Sequence, residues 1–378
     1  MNIIVAPDKF KGSLTSRQVC QCMQDGIKQV LPDAAVQCFA MADGGDGFDD
    51  VMGYYLQTQT ITSTTVNALR QPLQASWQWQ PLTKTAIITV ASASGLALLH
   101  PWQYDATKAS TYGTGLQIKQ ALQKGAQHII LGLGGSATTD AGMGILAALG
   151  FQLLNAEGIS LLPSGETLAD IKRIIPPAEM PAVTFTLACD VEHVMYGKNG
   201  AAVVFAPQKG ASITTVKLLD DGLKSIASLL QQQTGKNLAQ QPGAGAAGGI
   251  ATGLLSFFNG SMVKGAQLVL QTAGLSAALP QASLLITGEG CLDSQTAYGK
   301  VIAVVNAAAQ LQNVPVMAIC GQITVSPQQL NQYGFRCTRQ LVDTKLPPAK
   351  AMQQAKALLI QQTAAAVRQF VNQASSAG

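Results

Sequence analysis

Residues 284–300, LLITGEGCLDSQTAYGK, carry an apolar run, Leu284-Leu285-Ile286, straight into a loop holding two carboxylates (Glu289 and Asp293), three hydroxyls, three glycines and a lysine, Lys300. An apolar run that stops in a polar, glycine-rich loop reads as a buried strand opening at the carboxyl edge of an α/β sheet, where such sheets place phosphate and metal chemistry. The plainer alternative is a strand-to-helix loop with Asp293 as the helix cap. Loops of the same composition recur along the chain and favour the sheet-edge reading.

Working outward, the same strand, loop and helix pattern appears at both ends of the chain. The apolar run at 2–6 stops at Pro7, and Leu14, Val19, Met23, Ile27 and Val30 then recur at helical spacing over 13–30. A strand over 36–41 leads through ADGGDG (42–47) to a helix over 48–55. Near the other end, strands are predicted at 284–287, 316–320 and 338–342, with helices at 301–312, 328–333 and 350–372. Such alternation marks a parallel sheet with crossover helices. The middle is less regular. A hairpin of 77–82 with 85–90, strands at 128–133, 183–189 and 202–206, and helices at 115–124, 143–149 and 213–234 suggest a mixed sheet. The expected fold class is therefore α/β in two domains: a parallel-sheet domain discontinuous in sequence (1–65 and 282–378) and an inserted mixed α/β domain (66–281), with the site in the cleft between them. The stretch PGAGAAGG (242–249) has a linker's composition, but the apolar helix expected over 250–258 follows at once, so a turn or a tightly packed helix start fits as well.

Composition narrows the function. The 378 residues suit two domains; 47% are hydrophobic and only 12% charged, and glutamine carries much of the surface polarity. The net charge of +4 comes from 24 basic and 20 acidic residues with no run of five like charges, so neither nucleic acid nor membrane is expected as a partner. No stretch is long and apolar enough to span a bilayer, and the N-terminal residues lack a signal-peptide pattern, so a cytoplasmic protein is expected. Seven cysteines without a CxxC pair read as reduced thiols, and three isolated histidines make a histidine-centred metal site or triad a poor fit. The chemistry is left to carboxylates, lysines and hydroxyls.

Further loops carry those groups. APDKFKGSLTS (6–16) sets Asp8, Lys9 and Lys11 after the first strand, with Ser13 or Thr15 capping the next helix, a setting that attracts anions. In ADGGDG, Asp43 and Asp46 sit among glycines as oxygen ligands for magnesium or a substrate hydroxyl. LGLGGSATTDAGMG (131–144) offers Gly134, Gly135, Ser136 and Thr138 to phosphate and Asp140 as a metal ligand or base; it has neither the lysine of a Walker A loop nor a dinucleotide fingerprint. Asp190 ends the strand at 183–189, and Lys209 in FAPQKGAS (205–212) stands beside Gly210. This inventory suits phosphoryl transfer, which needs a carboxylate-held magnesium, cations and donors on the phosphates, and a base near the acceptor hydroxyl. The expected roles are catalysis for Asp43, Asp190, Lys9 and Lys300; substrate and phosphate binding for Asp8, Lys11, Ser13, Gly134, Gly135, Ser136, Thr138, Lys209 and Ser294; and metal binding for Asp140, Glu289 and Asp293.

Taken together, APDKFKGSLTS, ADGGDG, STYGTG (110–115), LGLGGSATTDAGMG, ACDV (188–191), FAPQKGAS, PGAGAAGG and ITGEGCLDSQTAYGK resemble the type I glycerate kinases of bacteria, in family order and from Ile3 to about Cys320. The resemblance implies a flavodoxin-like discontinuous domain, ATP and Mg2+ as cofactors, and phosphorylation of D-glycerate, usually to 2-phosphoglycerate, in organic acid catabolism. The chain departs from the family pattern at Cys291, where arginine is usual after GEG, at Tyr104-Asp105-Ala106, where an arginine is again usual, and at Thr139 and Ala141. A related hydroxy acid as substrate, or a cytoplasmic binding protein without catalysis, are the competing readings. Monomer and homodimer are both compatible with the sequence.

Overall fold

The structure is a computed structural model and describes residues 1–293, 300–342 and 346–375. Its strands are β1 (Asn2–Val5), β2 (Ala35–Cys38), β3 (Gln59–Val66), β4 (Pro72–Gln80), β5 (Thr85–Thr89), β6 (His128–Gly132), β7 (Gln152–Leu154), β8 (Arg173–Ile175), β9 (Thr184–Ala188), β10 (Asn259–Val263), β11 (Leu284–Thr287), β12 (Cys291–Leu292), β13 (Val316–Cys320), β14 (Gln322–Ile323) and β15 (Cys337–Gln340). The chain forms two compact units, one of Met1–Asp43 with Ala266–Gly378 and one of Gly44–Gly265. The sequence reading drew these junctions at 65/66 and 281/282. Residues 59–66 go with the inserted unit because β3 pairs with β4 along its whole length, from Gln59↔Trp79 to Val66↔Pro72.

The first unit is built on a five-stranded sheet of order β15-β13-β11-β1-β2 in which every pairing is parallel. Numbered within the unit, that order is 2-1-3-4-5, the flavodoxin-like winding, whose switch point lies between β1 and β11. The inner strands β11 and β13 are buried along their whole length and β1 along all but Asn2, which is why they read as unbroken apolar runs. Helix α1 (Ser16–Lys28) begins at a capping box: Thr15 Oγ1 accepts from the Gln18 amide while the Gln18 side chain accepts from the Thr15 amide. Its buried face carries Val19, Cys20, Met23 and Ile27 and packs on the C-terminal helix Ala355–Ser375.

The second unit holds a six-stranded mixed sheet, β10-β9-β6-β5-β4-β3, parallel from β10 to β5 and antiparallel from there to β3. Its core gathers Trp77, Ile129, Leu131, Phe185, Leu187 and Phe258, with helices Tyr112–Gln123, Met143–Ala148, Ile213–Thr234 and Ile250–Phe257 against it. One predicted strand is a helix instead. Ala201–Phe205 is helical, capped by Gly200, with the two alanines buried and Val203 and Val204 turned outward at 41% and 39% exposure. The Val-Val-Phe run has strand propensity, and tertiary context overrides it. PGAGAAGG forms turns that run directly into Ile250–Phe257. Among the described residues no helix is long and apolar enough to cross a membrane.

Candidate active site

The loops after β1 and β11 meet at the switch point of the first sheet. Two backbone bonds join them, Ala6 N–H to the Ile286 carbonyl and Asp8 N–H to the Gly288 carbonyl, both 2.8 Å, and Thr287 Oγ1 donates to the Ala6 carbonyl. The loop after β13 closes against the second: Gly321 N–H donates to the Glu289 carbonyl at 2.9 Å and Gln322 N–H to the Gly290 carbonyl at 3.1 Å. Only glycine allows this approach. A Cβ at Gly321 would lie 2.4 Å from the Gly290 oxygen, and one at Gly288 would lie 2.0 Å from the Ile319 oxygen.

A pocket of about 350 Å³ opens over these loops. Asp8, Lys9, Lys11 and Ser13 line it from the loop after β1, Asp43 from the end of the segment after β2, and Glu289, Cys291, Asp293 and Lys300 from the segment after β11. Met352 and Ala355 give it an apolar wall. Eight of the residues singled out in the sequence thus share one pocket. Ser294 lies outside the described residues. Sequence reasoning passed over Gly321 and Gln322, which also line the pocket; a glycine directly behind the apolar run 316–320 was the available signal.

The charges in the pocket act on one another. Asp8 is 7% exposed, and its Oδ1 accepts from the Lys9 amide at 2.7 Å. Burial pushes its pKa well above the usual carboxylate range, the nearby Asp43 and Glu289 charges add to the rise, and Lys9 opposes it. Lys300 and Asp293 form a half-exposed ion pair at 3.5 Å. Tyr333 is raised by burial and then by the Glu289 and Asp293 charges.

The remaining candidates belong to the second unit. Asp140 is fully buried: its Oδ2 accepts from Ser110 Oγ, from Thr111 N–H and Oγ1, and from Gly144 N–H, while Oδ1 accepts from Gly142 N–H. Burial raises its pKa and those donors hold it back. Its oxygens pin STYGTG to the GGSATT loop and are not open to a metal. Among the described residues no group of three or more His, Cys, Asp or Glu is placed to hold a metal ion; of the expected ligands, Glu289 and Asp293 line the pocket of the first unit and Asp140 belongs to the second. Lys209, expected on phosphate, is 3% exposed, and its ammonium donates to Ser136 Oγ at 3.2 Å and to the Thr138 carbonyl at 2.5 Å. Burial lowers its pKa to about 8 while the Asp140 charge pulls it up. Gly134 and Gly135 enter this loop, where the Gly134 amide donates to the Gly44 carbonyl and Gly135 takes φ +76°. The hydroxyls of Thr138 and Thr139 are buried without a hydrogen-bond partner. Asp190 is half-buried in the loop after β9 and does not line the pocket.

Fold and pocket together define an α/β protein of flavodoxin-like winding with a mixed-charge pocket at the switch point of its sheet. The family model described as "Glycerate kinase family" matches residues 3–372. A glycerate kinase of Halalkalibacterium halodurans is 37% identical over 363 residues, 95% of each chain, and the glycerate 2-kinase of Escherichia coli is 36% identical over 338 residues, 89% of each. A crystal structure described as a candidate glycerate kinase 2 from Salmonella typhimurium LT2 superposes with a TM-score of 0.84 at 32% identity, covering 99% of each chain. The chain belongs to the glycerate kinase family and is a kinase.

Proposed function

We propose that this chain transfers the γ-phosphoryl group of ATP to D-glycerate, with 2-phosphoglycerate as the product, in cytoplasmic organic acid catabolism. The observation that carries the reading is the switch-point pocket, where three lysines and four carboxylates face one space. Phosphoryl transfer asks little covalent chemistry of a protein beyond cations on the phosphates and a base at the acceptor hydroxyl. Lys9, Lys11 and Lys300 serve as the cations, one of them pairing with the glycerate carboxylate. The Asp8 and Asp43 pair serves as the base: a carboxyl whose proton affinity is raised by burial and by a neighbouring carboxylate accepts an alcohol proton more readily than an ordinary one. Magnesium enters as the counter-ion of ATP, part of the substrate.

The test is ADP release by the purified protein with D-glycerate, with L-glycerate and with no acceptor, followed by product analysis with enolase. Enolase consumes 2-phosphoglycerate directly but needs a mutase to reach the 3-isomer. ADP release only with D-glycerate, a product consumed by enolase alone, and a loss of at least about a hundredfold in kcat for Asp8→Asn are the expected results. Acceptor-independent ATP hydrolysis, or unchanged turnover in both Asp8→Asn and Lys300→Ala, would overturn the assignment.

A further inference from the structure

Two cysteines that take no part in the pocket lie together at the edge of the first sheet. Cys38 ends β2, the edge strand, and is exposed; Cys20 lies on the buried face of α1 at 4% exposure. Cys38 Sγ lies 3.8 Å from the Cys20 carbonyl oxygen and 4.0 Å from Gln24 Oε1, which sets its side chain against the turn of α1 that carries Cys20. The interaction of the two thiols raises the pKa of Cys20, with burial adding to the rise, and lowers that of the exposed Cys38. An accessible, thiolate-prone cysteine backed by a second thiol in contact is the arrangement of a nucleophilic cysteine and its resolving partner.

We propose that Cys38 and Cys20 are a modification site at which hydrogen peroxide forms a reversible disulfide between α1 and the end of β2. The Cys38 thiolate attacks one peroxide oxygen, the O–O bond breaks, and a sulfenic acid and hydroxide result; the hydroxide takes a proton to become water. Cys20 then gives up its proton and attacks the Cys38 sulfur. The S–S bond forms, the S–O bond breaks, and the leaving hydroxide takes that proton as a second water. Two thiols have lost two electrons and one peroxide has gained them.

The bond would fasten the segment that carries Asp43. Between Cys38 and Asp43 the chain is held by Phe39 N–H on the Val5 carbonyl, Met41 N–H on the Pro7 carbonyl, and Ser16 Oγ on the Met41 carbonyl at 2.7 Å. Ser16 opens α1 and Cys20 lies one turn further along the same helix, so a disulfide adds a second tie between this helix and this segment.

The test uses the full-length protein treated with hydrogen peroxide under native conditions, blocked with iodoacetamide, digested with trypsin without reductant and read by mass spectrometry. Peptides 18–28 and 29–70 should appear joined, lighter than their sum by two hydrogens, with fragment ions placing the bond on Cys20. The linked species should vanish with dithiothreitol and in Cys38→Ser, a change at an exposed position. A bond that fragment ions place on Cys22, or Cys38 passing to the sulfinic acid with no linked peptide formed, would overturn the proposal.

Discussion

Replacing Lys209 by methionine should remove a rise in stability at alkaline pH. The ammonium is buried on Ser136 Oγ and the Thr138 carbonyl, and burial lowers its pKa from 10.5 to about 8. Below that value folded and unfolded chains both carry the charge, and the folded state bears the full penalty of burying it. Between about 8 and 10.5 the folded chain has released a proton that the unfolded chain still binds, so stability rises with pH across this window. At ~1.36 kcal/mol per pKa unit the rise amounts to about 3 kcal/mol. Lys209→Met fills a comparable volume and has nothing to titrate. Urea unfolding of both proteins through the window gives the result as a difference, which cancels groups titrating in both, such as Cys189, raised by burial to about 11. The difference in slope is informative whether the variant is more or less stable at neutral pH. Parallel curves would mean that the ammonium is solvated and would refute the reasoning.

Asp49, in the first turn of α2 (Phe48–Leu56), is pushed up to about 7 chiefly by burial and then by the Asp50 charge. Its contribution to stability is fully present below its unfolded value near 3.8 and is lost as pH rises through 7, by about 4 kcal/mol; Asp49→Asn should flatten that fall in denaturant titrations, and an unchanged fall would count against the buried carboxylate. Asp140→Ala strips the acceptor from five donors in the second unit and should lower stability by about 3 kcal/mol or more, measured by urea unfolding; a loss below about 1 kcal/mol would show that those donors find other partners.

The parts of the fold that could be read from sequence are those whose burial leaves a mark on composition. Strands β11 and β13 have the bounds expected of them because both of their faces are covered and they run apolar from end to end. The edge strands β3 and β10 escaped notice: QTITSTTV and NGSMV are mostly exposed and rich in threonine, serine and glycine, so they show no apolar pattern. Helix Ala201–Phe205 was hidden behind strand-forming residues. In the pocket, the acids and lysines of 8–13 and 289–300 stood out because they follow apolar runs directly. What could not be read is which way a polar side chain turns. The acceptors around Lys209 and the donors around Asp140 come from segments up to 73 residues away in the chain, and spacing along one loop is blind to them.

That blindness explains why two loops of like composition end in different arrangements. In the first unit the glycines at 288 and 321 sit where neighbouring carbonyls press against the backbone, so the three loops close on each other through main-chain bonds and their charged side chains are left facing the pocket. In the second unit the close approach comes from another direction. A Cβ at Gly248 would lie 2.3 Å from the Thr138 carbonyl oxygen, so PGAGAAGG presses its backbone onto the GGSATT loop and helps to seal Thr138, Thr139 and Asp140 inside. Glycine, hydroxyl, acid and lysine are present in both. In one the polar groups line an open pocket, and in the other they bond to the protein's own backbone and hydroxyls, where burial costs the lysine part of its affinity for its proton. Burial thus lowers the pKa of Lys209, whose ammonium is taken up by Ser136 and Thr138, and raises that of Asp8, whose carboxyl lines an open pocket.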